Sequence, residues 1–94
     1  MSELLAQFRG QKMDERLRLS VYEGHIEITA EGDPDGVTIR VPLDELGRVE
    51  TQTILGMTAL VIEDAAGIVA ATVKMKRSDA RRAVKMLDRL QRGN

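Results

Sequence analysis

The sequence predicts a mainly β domain: an antiparallel, six- or seven-stranded, partly open barrel capped by one C-terminal amphipathic helix. Three observations lead there. Between residues 16 and 76 the apolar side chains recur with period two, in segments broken by turn residues. Every connection between these segments is short, and parallel crossovers need a dozen or more residues. From residue 78 onward the apolar period becomes that of a helix. Short strands over one small core curl into a partly closed barrel or split into two packed sheets, and a terminal helix would plug the open end.

Residues 1–14 read as an N-terminal arm or a short helix. Ser2 would cap that helix, Leu4, Leu5 and Phe8 would share a face, and Gly10 would stop it. Residues 12–15 read as a polar connector. The barrel domain occupies residues 15–94. Its first strand sets Leu17, Leu19 and Val21 against Arg16, Arg18, Ser20 and Tyr22. After Glu23-Gly24, the next sets Ile26, Ile28 and Ala30 against His25, Glu27 and Thr29, a tight hairpin pattern. Residues 31–36 are a turn cluster rich in Gly, Asp and Pro. Val37, Ile39 and Val41 mark a third strand, which Pro42 ends because it cannot donate to a ladder.

Leu43-Asp44-Glu45-Leu46-Gly47 is a short linker with room for one helical turn, Leu43 and Leu46 pointing inward. Residues 48–55 form the fourth strand, with Val49, Thr51 and Thr53 on one side, and Gly56 breaks it. The fifth contains Ala59-Leu60-Val61-Ile62, a continuous apolar run of the kind found in strands covered on both faces. Asp64-Ala65-Ala66-Gly67 is a hairpin loop, and residues 68–76 are the sixth strand. The helix covers residues 78–92. Ala80, Ala83, Val84, Leu87 and Leu90 form its apolar stripe, and Met86 flanks it. Ser78 is placed to be its N-cap, Asp79 suits its positive end, Arg89 and Arg92 suit the other end, and Gly93 stops it. So short a helix is marginal alone and must dock its stripe on the strands.

The stretch Val37-Thr38-Ile39-Arg40-Val41-Pro42-Leu43-Asp44-Glu45-Leu46 is a strand running into a Pro-Leu-x-x-Leu corner, and Val49-Glu50 opens the next strand. With the hairpin at residues 60–67 and the final helix, it resembles a pleckstrin-homology-like (PH-like) domain, in particular the small bacterial PH-like proteins. The resemblance covers about residues 15–92. It implies a seven-stranded barrel, so either the N-terminal segment supplies a further element or the barrel is incomplete. It also implies assembly into oligomers. Some PH-like domains grip a lipid headgroup with a basic loop between their first two strands. Here that loop is Tyr22-Glu23-Gly24-His25, short and acidic, which opposes an anionic headgroup.

A chain of 94 residues is one domain, and folding buries roughly 60–65% of its surface, enough for one modest core. With Phe8 and Tyr22 as the aromatic residues, that core is aliphatic. There is no cysteine, which excludes disulfides, cysteine zinc sites and thiol catalysis and fits a cytoplasmic setting. No apolar run approaches a membrane span, and the first ten residues lack the core of a secretory signal. Charge is unevenly divided. Eight basic residues face two acidic ones from Lys74 onward, a net +6, and six face thirteen before it, a net −7. Such asymmetry marks a binding surface or, more plainly, a solvated helix face beside an acidic body.

No residue cluster specifies a reaction. His25 is the lone histidine and reads as a surface strand residue without a ligand set. The turn Asp33-Pro34-Asp35-Gly36 lacks the further ligands of a calcium loop. No serine has a histidine at suggestive spacing, and no glycine pattern cradles a phosphate. The expectation is therefore a non-enzymatic protein-interaction or self-association module, without cofactor, metal, membrane or small-molecule substrate. Its candidate contact residues are Leu4, Leu5 and Phe8 at the N-terminus and Arg81, Arg82, Lys85 and Arg89 on the helix. Two alternatives stand beside it: nucleic-acid binding through the basic helix, and a domain with no ligand of its own. Against nucleic acid stand the acidic body and the lack of aromatic residues for base stacking.

Overall fold

Alternating burial governs the strands much as the sequence dictates. The computed structural model describes residues 3–32 and 38–93. In chain order these form β1 (Leu4–Lys12), β2 (Glu15–Tyr22), β3 (His25–Ala30), β4 (Thr38–Pro42), a 3-10 turn (Leu43–Glu45), β5 (Leu46–Ile54), β6 (Met57–Asp64), β7 (Val69–Lys74) and α1 (Arg77–Arg92). All pairings are antiparallel, and the order across the sheet is β4-β3-β2-β1-β7-β6-β5. The fold is thus mainly β, a seven-stranded, partly open barrel with a C-terminal helix. Sequence neighbours pair except at β4 and β5, where the barrel stays open, and β1 joins the halves by meeting β7 at Gln11 and Lys74.

The seventh strand comes from the N-terminal segment, which corrects the expected arm or short helix. A helix of that length has little stability of its own. As a strand, the same segment pairs with β2 from Leu4 to Lys12 and sinks Phe8 into the core. Gly10 lies inside the strand and does not stop it. A Cβ there would meet the Val73 side chain and the Lys74 carbonyl, so glycine permits the close crossing of β1 and β7. The expected polar connector is the tight turn between β1 and β2, with Met13 at φ 55°. The loop between the first two strands is therefore Met13-Asp14, and the loop at residues 22–25 joins β2 to β3.

Leu17, Leu19 and Val21 on β2 and Ile26, Ile28 and Ala30 on β3 are buried, as their alternation requires. Ser20 is buried on the opposite face, where it accepts a hydrogen bond from Gln7 Nε2 at 3.3 Å. His25 is 7% exposed, a correction to its reading as a surface residue. The β2–β3 turn folds its ring onto Tyr22, with centroids 4.6 Å apart, and Nε2 lies 3.5 Å from Glu27 Oε1. Residues 33–37, which include most of the expected acidic turn and Val37, lie outside the described residues. The corner after Pro42 is the 3-10 turn, with Leu43 packed on the core and Leu46 buried. Leu60, Val61 and Ile62 on β6 are all buried, consistent with a strand covered on both faces.

α1 packs on β5, β6 and the 3-10 turn. Ala80, Ala83 and Leu87 have no exposed surface, and Val84, Met86 and Leu90 pack partly against the core. Burying a leucine completely stabilises by about 1.5–3 kcal/mol, so this stripe fixes the helix to the barrel. The N-cap is Lys76, not Ser78, and no side chain caps it. Lys76 is extended, and its carbonyl accepts the Ala80 N–H at 2.9 Å, so the helix starts one residue before Ser78 can act. Near the other end Gln91 Nε2 donates to the carbonyls of Leu46 and Gly47 at 3.1 and 2.9 Å.

Candidate functional site

Two features meet on one side of α1. β1 brings Phe8 into the core with its ring reaching the surface beside the helix, and the helical period puts Arg82, Lys85, Met86, Arg89 and Leu90 along the same side. Together they line a groove of about 280 Å³. Phe8, Met86 and Leu90 give it an apolar floor. Its rim holds three cations and no anion. The Arg82 guanidinium lies 5.7 Å from the centre of the Phe8 ring, near enough for a cation–π contact. Arg82 also approaches Asp79 at 3.7 Å, one turn back on the helix. Among the described residues Lys85 and Arg89 have no acidic partner.

Of the contact residues expected from the sequence, the structure joins Phe8, Arg82, Lys85 and Arg89 in this groove. It does so differently from the expectation, because Phe8 is 4% exposed and acts as floor, not as a free anchor. Leu4 and Leu5 stay about half exposed at the start of β1, beside a bulge between Leu4 and Ala6, and do not line the groove. Arg81 points to solvent away from it. Met86 and Leu90 complete the floor. The sequence marks both as apolar helix residues, but not that β1 would stand beside them.

A second surface was not foreseen. The β5–β6 hairpin turns at Leu55-Gly56, both in the left-handed region at φ 52° and 77°. Leu55 is 97% exposed, and its neighbours Ile54 and Met57 are more than half exposed. A two-residue turn of this kind favours Asn, Asp or Gly at its first central position, so a leucine there is out of place locally. The signal was a cluster of apolar residues around Gly56. Reading the segment as the end of a strand hid it.

Three other cations, Lys74, Lys76 and Arg77, border a separate groove of about 490 Å³ together with Gln11, Met57 and Met75. Among the described residues no group of three or more His, Asp or Glu side chains is placed to hold a metal ion. Nor, among those residues, is any helix long and apolar enough to cross a membrane. The surfaces are an apolar recess ringed by hydrogen-bond donors and a β-hairpin that ends in an apolar tip. Comparison with known proteins finds no family model that matches the chain and no curated protein that matches its sequence.

Proposed function

We propose that this protein is a non-enzymatic interaction module of PH-like type, acting in the cytoplasm, that binds another protein or a further copy of itself. The observation that carries the proposal is the groove along α1. Its apolar floor of Phe8, Met86 and Leu90 takes a hydrophobic side chain, and its rim of Arg82, Lys85 and Arg89 takes carboxylates on either side of that chain. The occupant that fits is an acidic segment with one apolar anchor. The acidic remainder of the chain, net −7 before Lys74, favours approach of such a segment from the basic helix side. The PH-like reading rests on the Pro42–Leu46 corner and the terminal helix, and a barrel left open between β4 and β5 is compatible with it.

Fluorescence polarisation with labelled acidic peptides tests this. A peptide carrying a single leucine or phenylalanine among glutamates binds, the same peptide with alanine at the anchor binds at least tenfold more weakly, and Arg82→Glu with Arg89→Glu abolishes binding while the fold is kept. Equal binding of both peptides, or binding that survives the double reversal, overturns the proposal. Nucleic acid is the second reading, favoured by the eight basic residues from Lys74 onward. It predicts binding to mixed-sequence RNA or DNA at low salt, lost steeply as salt rises. Lys74, Lys76 and Arg77 line one groove and Arg82, Lys85 and Arg89 another, and the second has the apolar floor that suits a protein ligand. A protein that binds neither probe is a domain without a ligand of its own.

A further inference from the structure

We infer that β5 is a self-pairing edge, and that two copies join through antiparallel β5–β5 addition centred on Thr51. This deepens the self-association half of the proposal above. Its backbone edge lies apart from the α1 groove, with which the Leu55 recess shares Lys85 alone, and the variants that test it leave the groove residues unchanged, so the two fail separately.

The open barrel has two edges, and they are not equivalent. β4 carries Arg40 and ends in Pro42, both features that blunt an edge, and it runs for five of the described residues. β5 is nine residues long and contains no proline. Its backbone direction follows from a neighbour. The Met75 N–H donates to the Thr58 carbonyl at 3.1 Å, so Thr58 turns its polar groups to the β7 side. Thr53 faces Thr58 in the β5–β6 ladder, so Thr53 turns its own groups to the free edge. By alternation Thr51 and Val49 do the same. The pairing with β6 shifts register between Leu46 and Val49, so the alternation stops at Val49, and the Gly47 carbonyl beyond it is already taken by Gln91 Nε2. The edge open to a partner therefore runs from Val49 to Thr53.

Charge and side-chain opposition choose the register. Centred on Thr51, the pairing sets Thr51 against Thr51, Val49 against Thr53, Glu50 against Gln52 and Arg48 against Ile54, with no like charges opposed. It joins every free edge residue, three facing pairs that exchange about six backbone hydrogen bonds. Centring on Glu50 would set carboxylate against carboxylate. Centring on Val49 would pair Arg48 with Glu50 twice, but it needs the edge at Gly47, which Gln91 occupies. Shifting the other way, to Gln52, leaves Val49 unpaired.

The Thr51 register also gives the hairpin tip a destination. Leu55 of one copy arrives at Gly47 of the other. There a groove of about 380 Å³ lies between β5 and α1, lined by Gly47, Val49, Val84, Lys85, Asp88 and Gln91. Val49 and Val84 are its apolar walls. The strained, almost fully exposed Leu55 thus finds cover in a second copy, reciprocally, as a two-fold interface demands.

The test is sedimentation of the full chain across the micromolar range, with two kinds of variant. The unaltered protein is a dimer. Thr51→Pro keeps the fold, because the lost N–H faces outward and an edge strand tolerates proline there, but weakens the dimer about tenfold or more. A lone thiol at position 51 has its counterpart about 4.5–5.5 Å away in the dimer, so Thr51→Cys is joined by a short bifunctional thiol reagent. Arg40→Cys, on the other edge, is not. A dimer that survives Thr51→Pro and leaves Thr51→Cys unjoined overturns the edge assignment while self-association stands. A monomer throughout overturns both, and leaves peptide binding in the α1 groove unaffected.

Discussion

Replacing Leu87 with alanine measures how far the helix belongs to the barrel. Leu87 has no exposed surface and sits in the core cluster with Leu60, Ile62 and Val73. On α1 its neighbours toward the core are Ala83, too small to lean into a void, and Val84 and Leu90, which are already packed against the core. The strands beyond are fixed by their ladders. The site therefore collapses poorly, and the loss belongs in the middle of the range for buried Leu→Ala changes, about 3–4 kcal/mol. In a domain of this size each kcal/mol lowers the melting temperature by about 4–8 °C, so the midpoint falls by about 12–30 °C. Urea unfolding followed by circular dichroism, with calorimetry as a second probe, gives both figures. Arg81→Ala is the control. Arg81 is exposed on the same helix, so its loss changes stability by less than about 0.5 kcal/mol. If Leu87→Ala costs under about 1 kcal/mol, or no more than the control, the helix is an appendage and the sealed-barrel account of this fold is wrong.

Three further perturbations probe other joints. Gly10→Ala pushes a methyl group into the Val73 side chain and the Lys74 carbonyl where β1 crosses β7, and costs about 1–3 kcal/mol in urea midpoint at unchanged slope. Gln91→Ala strips the donor from the Leu46 and Gly47 carbonyls. It loses about 1–2 kcal/mol, and hydrogen exchange quickens in the last turn of α1. Leu55→Asn suits the left-handed turn better and raises the stability of the isolated chain by about 1 kcal/mol, read by denaturation at low concentration.

The middle of the chain was legible because each strand there has one buried face, and period two is a direct record of that. The corner at Pro42 and the stripe of α1 were legible for similar reasons: a residue that cannot donate, and a repeat of three and four. The first strand was not. Leu4, Leu5 and Phe8 satisfy a helical face as well as they satisfy a strand, and only pairing with β2 along its length decides between them. That one misreading displaced the loop between the first two strands and left the strand count open between six and seven. His25 went astray for a related reason, since a ring stacked on Tyr22 depends on how the hairpin closes and not on the alternation of its strand. The groove was half legible. Arg82, Lys85 and Arg89 stand out as a basic series, but its floor needs β1 and α1 side by side, a contact between the two ends of the chain.

The two candidate surfaces have one structural origin. A closed barrel of this size would hide every strand edge and leave its helix as ornament. Here the corner at residues 42–46 sends β5 away from β4, and each consequence of that break is met locally except one. The end of β4 is blunted by Pro42. The start of β5 is capped by Gln91 from the helix. α1, lying against β5 and β6, fills the opening with Ala83 and Leu87 and so turns its basic side toward Phe8. Among the described residues, what no neighbour covers is the backbone edge from Val49 to Thr53 and the apolar tip beyond it. An uncovered hydrogen-bonding edge with an exposed leucine at its end is a liability in a lone domain and an asset in a paired one. That contrast makes solution mass, measured before any ligand is sought, the first observation to obtain.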